Sequence, residues 1–206
     1  MASTDPIRWH ISVSSPLQAV IDDPNAPGEL TRPLRLFTTW QIRNETPIAK
    51  VIATPQLAAP WVAALIALGA QVQREDGTSA ALAQAMYRRA AWDTLTLPRD
   101  GWTFADAYVA RAPTDAPIVY AAATTWVEGG TLRGIRLALT GVSRLAVYVP
   151  KSPSQWMGNP FDEAAVHALA QAVAQEVRPR GDFRGSEAYR RAMTEVLVRR
   201  VLTAKT

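Results

Sequence analysis

The chain has 206 residues, of which 48% are hydrophobic, and this is enough apolar material to build a sizeable core and to exclude global disorder. It contains no cysteine, which excludes disulfides, thiolate-bound metals and a cysteine nucleophile. The formal net charge of +4 is concentrated in the arginine-rich segment 177–206, and the rest of the chain is about neutral.

The first half of the chain predicts an alternation of strands and helices. Apolar and polar residues alternate over 7–15, which predicts a half-buried strand. A short helix with Ser15 at its N-cap is expected next, and the proline- and glycine-rich residues 23–33 are expected to form a loop. Residues 33–44 predict a helix whose apolar stripe comprises Leu34, Phe37, Trp40 and Gln41.

Three more elements are expected before the pattern changes. Residues 60–70 predict a buried helix, and 70–76 predict a strand that ends at the turn signal Asp76-Gly77. Residues 79–92 predict a helix with Leu82, Met86 and Ala90 on one face. We place a domain boundary after this helix, which gives the domains 1–99 and 100–206.

The second half predicts an antiparallel meander followed by two helices, an α+β arrangement. Strand-like runs cover 102–111, 116–130, 131–141 and 143–150, with a hairpin turn at 128–131. Asp162 and Ser186 are the expected N-caps of the two helices. The last helix is expected to face the core with an apolar stripe that comprises Tyr189, Met193, Val196, Leu197 and Val201.

No catalytic constellation is visible. His10 and His167 are the only histidines, and two isolated histidines make neither a metal site nor a triad, so we expect no catalytic residue and no metal. Glycine-rich dinucleotide or phosphate motifs and a nucleophile elbow are absent from the sequence. The tryptophans occur singly, which favours core or interface anchoring over a base-stacking platform.

The partners expected from these patterns are proteins. The arginines of the last helix could bind a phosphate backbone, but no aromatic or glycine-rich RNA or DNA motif accompanies them, so a solvated helix face is favoured and nucleic acid is not expected. The longest apolar stretch, 57–72, contains a proline and is short for a bilayer span, so no membrane insertion is expected. We expect a cytoplasmic protein.

Several segments resemble the flavin-binding medium subunits of molybdenum hydroxylases, the group of aerobic carbon monoxide dehydrogenase and xanthine dehydrogenase. The most specific is the run D-x-R-x-S-x-x-Y-R-R at 182–191, which leads into a helix ending V-L-x-R-R at 196–200. Segments 7–24, 32–44 and 116–142 are also similar. The resemblance implies an α+β fold. Residues 1–99 would be a remnant of the second FAD-binding subdomain, a small mixed sheet with helices, without the first, glycine-rich subdomain. Residues 100–206 would be the flavoprotein C-terminal domain, a three- or four-stranded antiparallel sheet packed on helices.

The resemblance also marks a loop that departs from the family. Aligning Arg43-Asn44 on the RN of the family's RN-x-x-TIGGN loop places Pro47, Ile48, Ala49, Lys50 and Val51 on T-I-G-G-N, and only the isoleucine matches. The missing glycines deny a diphosphate close backbone approach, and proline also removes a donor. A lysine at this point supplies a single charge contact. The chain is therefore expected to bind no FAD.

The resulting hypothesis is a non-catalytic structural or assembly subunit that docks on other protein subunits or on itself. Its docking residues would be those of the arginine-rich run, namely Arg184, Tyr189, Arg190, Arg191, Arg199 and Arg200. The alternative is a functional FAD-binding electron-transfer subunit of a carbon monoxide or xanthine dehydrogenase-like oxidoreductase, with another chain completing a composite site. A third hypothesis, a basic binding module acting through the last helix, is disfavoured because its arginines match the family pattern.

Overall fold

The computed structural model describes residues 7–86, 91–98, 101–112 and 115–204. The chain divides into two units, Met1–Gly101 and Trp102–Thr206. Both units combine a sheet with helices, so the expected α+β class is confirmed. Among the described residues, no helix is both long enough and apolar enough to cross a membrane.

The first unit contains a sheet of four short strands in the order β1-β4-β2-β3. The strands are β1 (Ile7–Ser12), β2 (Gln71–Gln73), β3 (Ser79–Ala81) and β4 (Thr94–Pro98). Every pairing in this sheet is antiparallel, so the expectation of a mixed sheet is wrong. The turn at Asp76-Gly77 explains part of this geometry, because it joins β2 to β3 as a tight hairpin, which only antiparallel strands permit.

Strand β4 holds this sheet together, although the sequence analysis did not identify it. It pairs with β1 on one side and with β2 on the other. In the sequence, the apolar Leu95 and Leu97 alternate with the polar Thr94 and Thr96, which is the period of a strand, and in the structure Leu95, Thr96 and Leu97 are all buried. The signal is present in the sequence but covers only five residues, between the predicted helix 79–92 and the predicted strand 102–111.

Six helices of the first unit are described. They are α1 (Gln18–Asp22), α2 (Gly28–Phe37), α3 (Trp40–Glu45), α4 (Ile48–Ala53), α5 (Ala59–Ala67) and α6 (Leu82–Ala85). Helix α5 confirms the predicted buried helix: its side chains from Pro60 to Ala67 are all buried, as expected for a helix that is apolar on every side.

Two local expectations for the first unit are wrong. Residues 23–33 are not all loop, because α2 begins at Gly28 and buries Leu30, Pro33 and Leu34 along one stripe. The predicted helix 33–44 is broken at Thr38, and Thr39 caps the new helix α3 by accepting a hydrogen bond from the N–H of Ile42.

The break in 33–44 changes the position of Trp40, which is 68% exposed instead of lying on a buried stripe. Ser15 is not an N-cap either, since α1 begins at Gln18. The predicted helix 79–92 is limited to α6 after strand β3, and residues 87–90 lie outside the described residues.

The second unit is a four-stranded antiparallel sheet in the order β5-β6-β7-β8, with two long helices. Its strands are β5 (Thr103–Val109), β6 (Val119–Glu128), β7 (Thr131–Thr140) and β8 (Val147–Tyr148), and its helices are α7 (Glu163–Glu176) and α8 (Glu187–Thr203). The predicted hairpin is confirmed, with Gly129 and Gly130 at φ of 56° and 75° between β6 and β7. Residues Ser152–Trp156 form a 3-10 helix between β8 and α7.

The core of the second unit lies between one face of the sheet and both helices. Alternate residues of β6 point into it, and they meet apolar residues of α7 and α8. The cluster includes Val119, Ala121, Ala123, Leu137, Leu139, Val166, Leu169, Val173, Leu197, Val198 and Val201. This arrangement confirms the expected sheet packed on helices.

Helix α8 is rotated relative to the predicted stripe. Leu197 and Val201 are buried as expected, but Tyr189 is 38% exposed, and the buried row begins one residue later, at Arg190 and Thr194. The rotation is explained by hydrogen bonds. Arg190 donates to the backbone carbonyls of Ile118 and Gly141, at the ends of β6 and β7, and the side of α8 that carries Arg190 therefore faces the core.

The close packing around Gly141, directly after β7, can be tested by substitution. Gly141 has φ of +76°, and a Cβ atom at this position would overlap the carbonyl oxygen of Ile118. We expect Gly141→Ala to lower the free energy of unfolding by about 3 kcal/mol, through a steric clash added to the backbone strain. Urea unfolding followed by circular dichroism measures this change.

Gly158 supplies the matched control. It has nearly the same backbone angle, with φ of +80°, but no atom lies within 4 Å of an added Cβ. Gly158→Ala should therefore show only the backbone term, about 1 kcal/mol. Equal losses for the two variants would mean that the contact with Ile118 does not limit this position.

Candidate functional site

The segment Pro47 to Val51, which the sequence analysis aligned with a phosphate-binding loop, forms the first turn of α4. Pro47 is the N-cap, with extended backbone angles, and helical geometry begins at Ile48. The side chains of Ile48 and Val51 are completely buried, whereas Ala49 and Lys50 are exposed. The segment is thus held in place by its buried apolar residues, and Lys50 is the only charged residue that it presents to solvent.

Each backbone N–H of this turn already has an acceptor within the chain. The N–H of Ile48 donates to the carbonyl of Ser15 at 3.0 Å, and that of Ala49 donates to Val13 at 2.8 Å. The N–H groups of Lys50 and Val51 both donate to the carbonyl of Pro47, at 3.0 and 3.3 Å. The first N–H groups of a helix normally lack such partners, and these are the donors that bind phosphate elsewhere.

The residues present do not fit a diphosphate. Pro47 has no N–H, and the donors of Ile48 and Ala49 point at the carbonyls of the segment that follows β1. A pyrophosphate at this position would have to break those hydrogen bonds, and only the exposed ammonium of Lys50 would remain to attract it. One point charge on a flexible side chain does not replace a cradle of N–H groups.

The preceding helix α3, which carries the matching Arg43-Asn44, has a structural role in this region. Arg43 donates to Gln18 Oε1 at 3.0 Å and to the carbonyl of Thr38 at 2.7 Å, and so ties α3 to α1 and to the end of α2. Asn44 donates to the carbonyl of Trp40 within the same helix.

The arginine-rich run of the second unit forms a hydrogen-bonded corner, which we call the Asp182–Arg190 corner. Asp182 Oδ1 accepts from the backbone N–H of Arg184 at 2.9 Å and from Nη2 of Arg190 at 2.8 Å. Arg190 also donates to the carbonyls of Ile118, Gly141 and Gly185. Ser186 caps α8 by accepting from the N–H of Tyr189 at 3.1 Å, as predicted.

Arg190 differs from the other docking candidates, because it is buried within the fold. It is only 4% exposed, and its guanidinium is used within the fold to join the corner to the ends of β6 and β7. The planar, multiply donating guanidinium suits this role, because it can satisfy several carbonyls and a carboxylate at once.

The other docking candidates lie at the surface of the second unit. Arg191, Arg199 and Arg200 are exposed on α8, Tyr189 is 38% exposed, and Arg184 is half-buried with its Nε 3.5 Å from Asp182 Oδ2. The structure brings Arg191 into a groove between α7 and α8, and Arg199 and Arg200 into a second cleft further along α8.

Phe183 is an exposed residue that the sequence analysis missed. It is 87% exposed at the turn of the Asp182–Arg190 corner, and the Arg184 guanidinium carbon lies 5.9 Å from its ring centre. Its place in the motif is a variable one, so the pattern gave no reason to single it out. A signal was nonetheless present, because an aromatic residue in a polar, glycine-flanked turn has few apolar neighbours to cover it.

The Glu176 carboxylate also has a structural role. It accepts from the Tyr148 hydroxyl at 2.8 Å and from the N–H groups of Lys151 and Ser152 at 2.7 and 2.9 Å. Partial burial raises the pKa of Glu176, but these donors outweigh it, and the pKa lies below its ordinary value. Burial and the Glu176 carboxylate raise the pKa of Tyr148 to about 12.

No metal site is formed within the part of the chain that the structure describes, since its histidines and acidic residues nowhere gather in groups of three or more. His167 instead forms a hydrogen bond with Gln171, one helical turn away, at 3.1 Å. A cavity of about 680 Å³ in the second unit is lined by Phe161, Asp162, Val166 and Leu202, among others. Asp162 is used there as the N-cap of α7.

The fold is that of a flavoprotein subunit. Residues 105–204 match the model of the CO dehydrogenase flavoprotein C-terminal domain. The chain has the fold of a CO dehydrogenase from Hydrogenophaga pseudoflava, with a TM-score of 0.76 and 23% identity over 95% of this chain and 74% of that one. It is also similar to quinoline 2-oxidoreductase from Pseudomonas putida 86, with a TM-score of 0.74 and 18% identity over 98% and 75% of the two chains.

Sequence similarity leads to the same group. The chain is 30% identical over 193 residues to the uncharacterized protein YgfM of Escherichia coli (strain K12), covering 91% of this chain and 69% of YgfM. It is 36% identical over 77 residues to the carbon monoxide dehydrogenase medium chain of Hydrogenophaga pseudoflava, covering 37% of this chain and 27% of that one. The chain belongs to the family of molybdenum-hydroxylase medium (flavoprotein) subunits.

Removing the Arg190 guanidinium should destabilise the second unit. We expect Arg190→Met to lower the free energy of unfolding by about 2–4 kcal/mol, because it removes the guanidinium donor of buried carbonyls and one of the donors to the Asp182 carboxylate. Arg144→Met, at an exposed arginine of the β7–β8 loop, should stay within about 0.5 kcal/mol of the wild type. Urea unfolding of both variants makes the comparison, and equal stabilities would contradict the structural role of Arg190.

The Asp182–Arg190 corner should also respond to acid. The hydrogen bond from Arg190, followed by those from the backbone N–H groups of Arg184 and Gly185, lowers the pKa of Asp182 from 3.8 to about 2. A lowered carboxyl pKa stabilises the folded state above the unfolded pKa, and this contribution is lost as the pH falls from 3.8 towards 2. We expect Asp182→Asn to be less stable than the wild type near neutral pH and to lose less stability across this range, as measured by urea unfolding at a series of pH values. If the stabilities of Asp182→Asn and the wild type change equally with pH, the pairing of Asp182 with Arg190 is contradicted.

Proposed function

We propose that the chain is a non-catalytic structural or assembly subunit derived from a molybdenum-hydroxylase flavin subunit, and that it has no FAD of its own. The observation that carries this proposal is the use of every N–H from Ile48 to Val51 by carbonyls of the chain itself. A turn whose donors are already satisfied gains no new hydrogen bonds from a diphosphate, and it would lose existing ones on binding.

The burial pattern supports the same conclusion. Ile48 and Val51 anchor the turn in the core of the first unit, so the turn cannot be reshaped without exposing apolar side chains. Substituting Ala49 and Lys50 at the glycine positions adds Cβ atoms where close backbone approach is required. We infer that this turn now serves to fasten α4 to the segment after β1.

Docking is the activity that remains for such a subunit. Its partners would be other protein subunits or a second copy of the chain, and the contact residues would be Arg184, Tyr189, Arg191, Arg199 and Arg200, with Phe183 added and Arg190 excluded. Large exposed aromatic residues and arginines are enriched in such contacts. We assign no catalytic residue, no nucleic-acid or membrane binding, and a cytoplasmic location.

The alternative is a functional FAD-binding electron-transfer subunit in a carbon monoxide or xanthine dehydrogenase-like oxidoreductase. The shared fold with CO dehydrogenase favours it, since a TM-score of 0.76 leaves the general framework of a flavoprotein in place. In that case, another chain would complete a composite site and supply the diphosphate contacts that Pro47 to Val51 do not offer.

Flavin binding separates the two proposals. The purified full chain, incubated with excess FAD and passed through a desalting column, should retain no flavin absorption, because the turn offers no free N–H groups to the diphosphate. The same experiment on the chain co-expressed with its genomic neighbours tests the composite site. Stoichiometric flavin that is released on denaturation would overturn the main proposal, in the chain alone or in the complex.

A further inference from the structure

The exposed side of α8 carries charges of alternating sign at every fourth position, namely Glu187, Arg191, Glu195 and Arg199. Glu187, Arg191 and Arg199 are exposed and Glu195 is half-buried. None of these side chains forms an ion pair with another residue that the structure describes. The row therefore reaches the surface with its charges available.

This row is complementary to its own reverse. Reversing the helix direction about Met193 brings Arg191 onto Glu195 and Glu187 onto Arg199, so every charge meets one of opposite sign. A two-fold axis produces this reversal. In an isologous interface both copies use the same surface, so if Arg191 of one copy contacts Glu195 of the other, Glu195 of the first copy also contacts Arg191 of the second. The dipoles of antiparallel helices point in opposite directions, so the positive end of each helix lies beside the negative end of the other, which is favourable.

The surface beside the row has the shape that a second helix requires. A groove of about 430 Å³ runs between α7 and α8, and Arg191 and Glu195 line it. Its other lining residues include Ala174, Ala188 and Ala192, whose short side chains allow the axis of another helix to come close. Gln171 and Gln175 of α7 add neutral hydrogen-bonding groups at its edge.

We propose that α8 of a second copy of this chain lies antiparallel across this groove, about a two-fold axis that passes the exposed side of α8 at the level of residue 193. Arg191 of each copy faces Glu195 of the other, and Glu187 faces Arg199. The inference rests on the proposed docking role and names its partner, but it does not require the chain to be free of flavin.

The alternation of charge selects this occupant over others. A nucleic acid or a uniformly acidic protein surface would be attracted by Arg191 and Arg199, but it would be repelled by Glu187 and Glu195, which lie between or beside them. A second copy meets both signs with the opposite one. Alternating charges of this kind specify a partner mainly by repulsion, because helices that pair in another register or orientation bring like charges together.

Charge reversal with rescue provides the test. Sedimentation velocity of the full chain at micromolar concentrations should show a species of twice the 22.4 kDa chain mass. Arg191→Glu and Glu195→Arg should each weaken dimerisation about tenfold or more, because both copies then place like charges in contact. An equimolar mixture of the two variants should form a heterodimer, since the acidic side chain introduced in one variant faces the basic side chain introduced in the other. The double variant should dimerise like the wild type.

The matched control is Arg144→Glu, which makes the same charge change at an exposed position outside α8 and should leave the dimer intact. Circular dichroism verifies that each variant keeps its helices. A wild-type chain that stays monomeric overturns the inference, and so does a mixture of the single variants that does not associate. The flavin test measures absorption and this test measures mass, so the two results are independent. A monomer without flavin would contradict only the proposed dimer. A dimer that binds flavin would contradict only the proposal that the chain has no FAD of its own.

Discussion

The first unit depends on two backbone hydrogen bonds, from Ile48 to Ser15 and from Ala49 to Val13. They join the start of α4 to the segment after β1, and the buried side chains of Ile48 and Val51 hold the same turn from the other side. The first N–H groups of a helix are donors that can bind a phosphate. Here these N–H groups donate to carbonyls of the chain itself, and these hydrogen bonds hold the turn in place.

The second unit differs from the first, since its family pattern is intact and the role of that pattern in the fold is clear. The residues Asp182, Ser186 and Arg190 form a corner that closes α8 onto the ends of β6 and β7. The most distinctive arginine of this motif, Arg190, is buried against backbone carbonyls, so it has a structural role in the fold. The same corner leaves Phe183 and the outer face of α8 free for contacts with other chains.

Part of this structure could be predicted because it depends on interactions between residues that are close in the sequence. The caps at Asp162 and Ser186 and the hairpin at Gly129-Gly130 need only neighbouring residues, and the sequence predicted them correctly. Tertiary contacts decided the rest: Pro33 lies inside a helix because its neighbours Leu30 and Leu34 are buried, and α8 is rotated because Arg190 finds distant carbonyls. The sequence located the altered turn at Pro47 to Val51, but not the acceptors of its donors, because Val13 and Ser15 are distant along the chain.

Amide hydrogen exchange at Ile48 and Ala49 tests the central claim most directly. If these N–H groups donate to Ser15 and Val13 as described, their exchange in the purified chain is slow, and the addition of FAD leaves the rates unchanged. Fast exchange in the free chain that becomes slow when FAD is added would show that the donors are available to a diphosphate, and it would contradict the account.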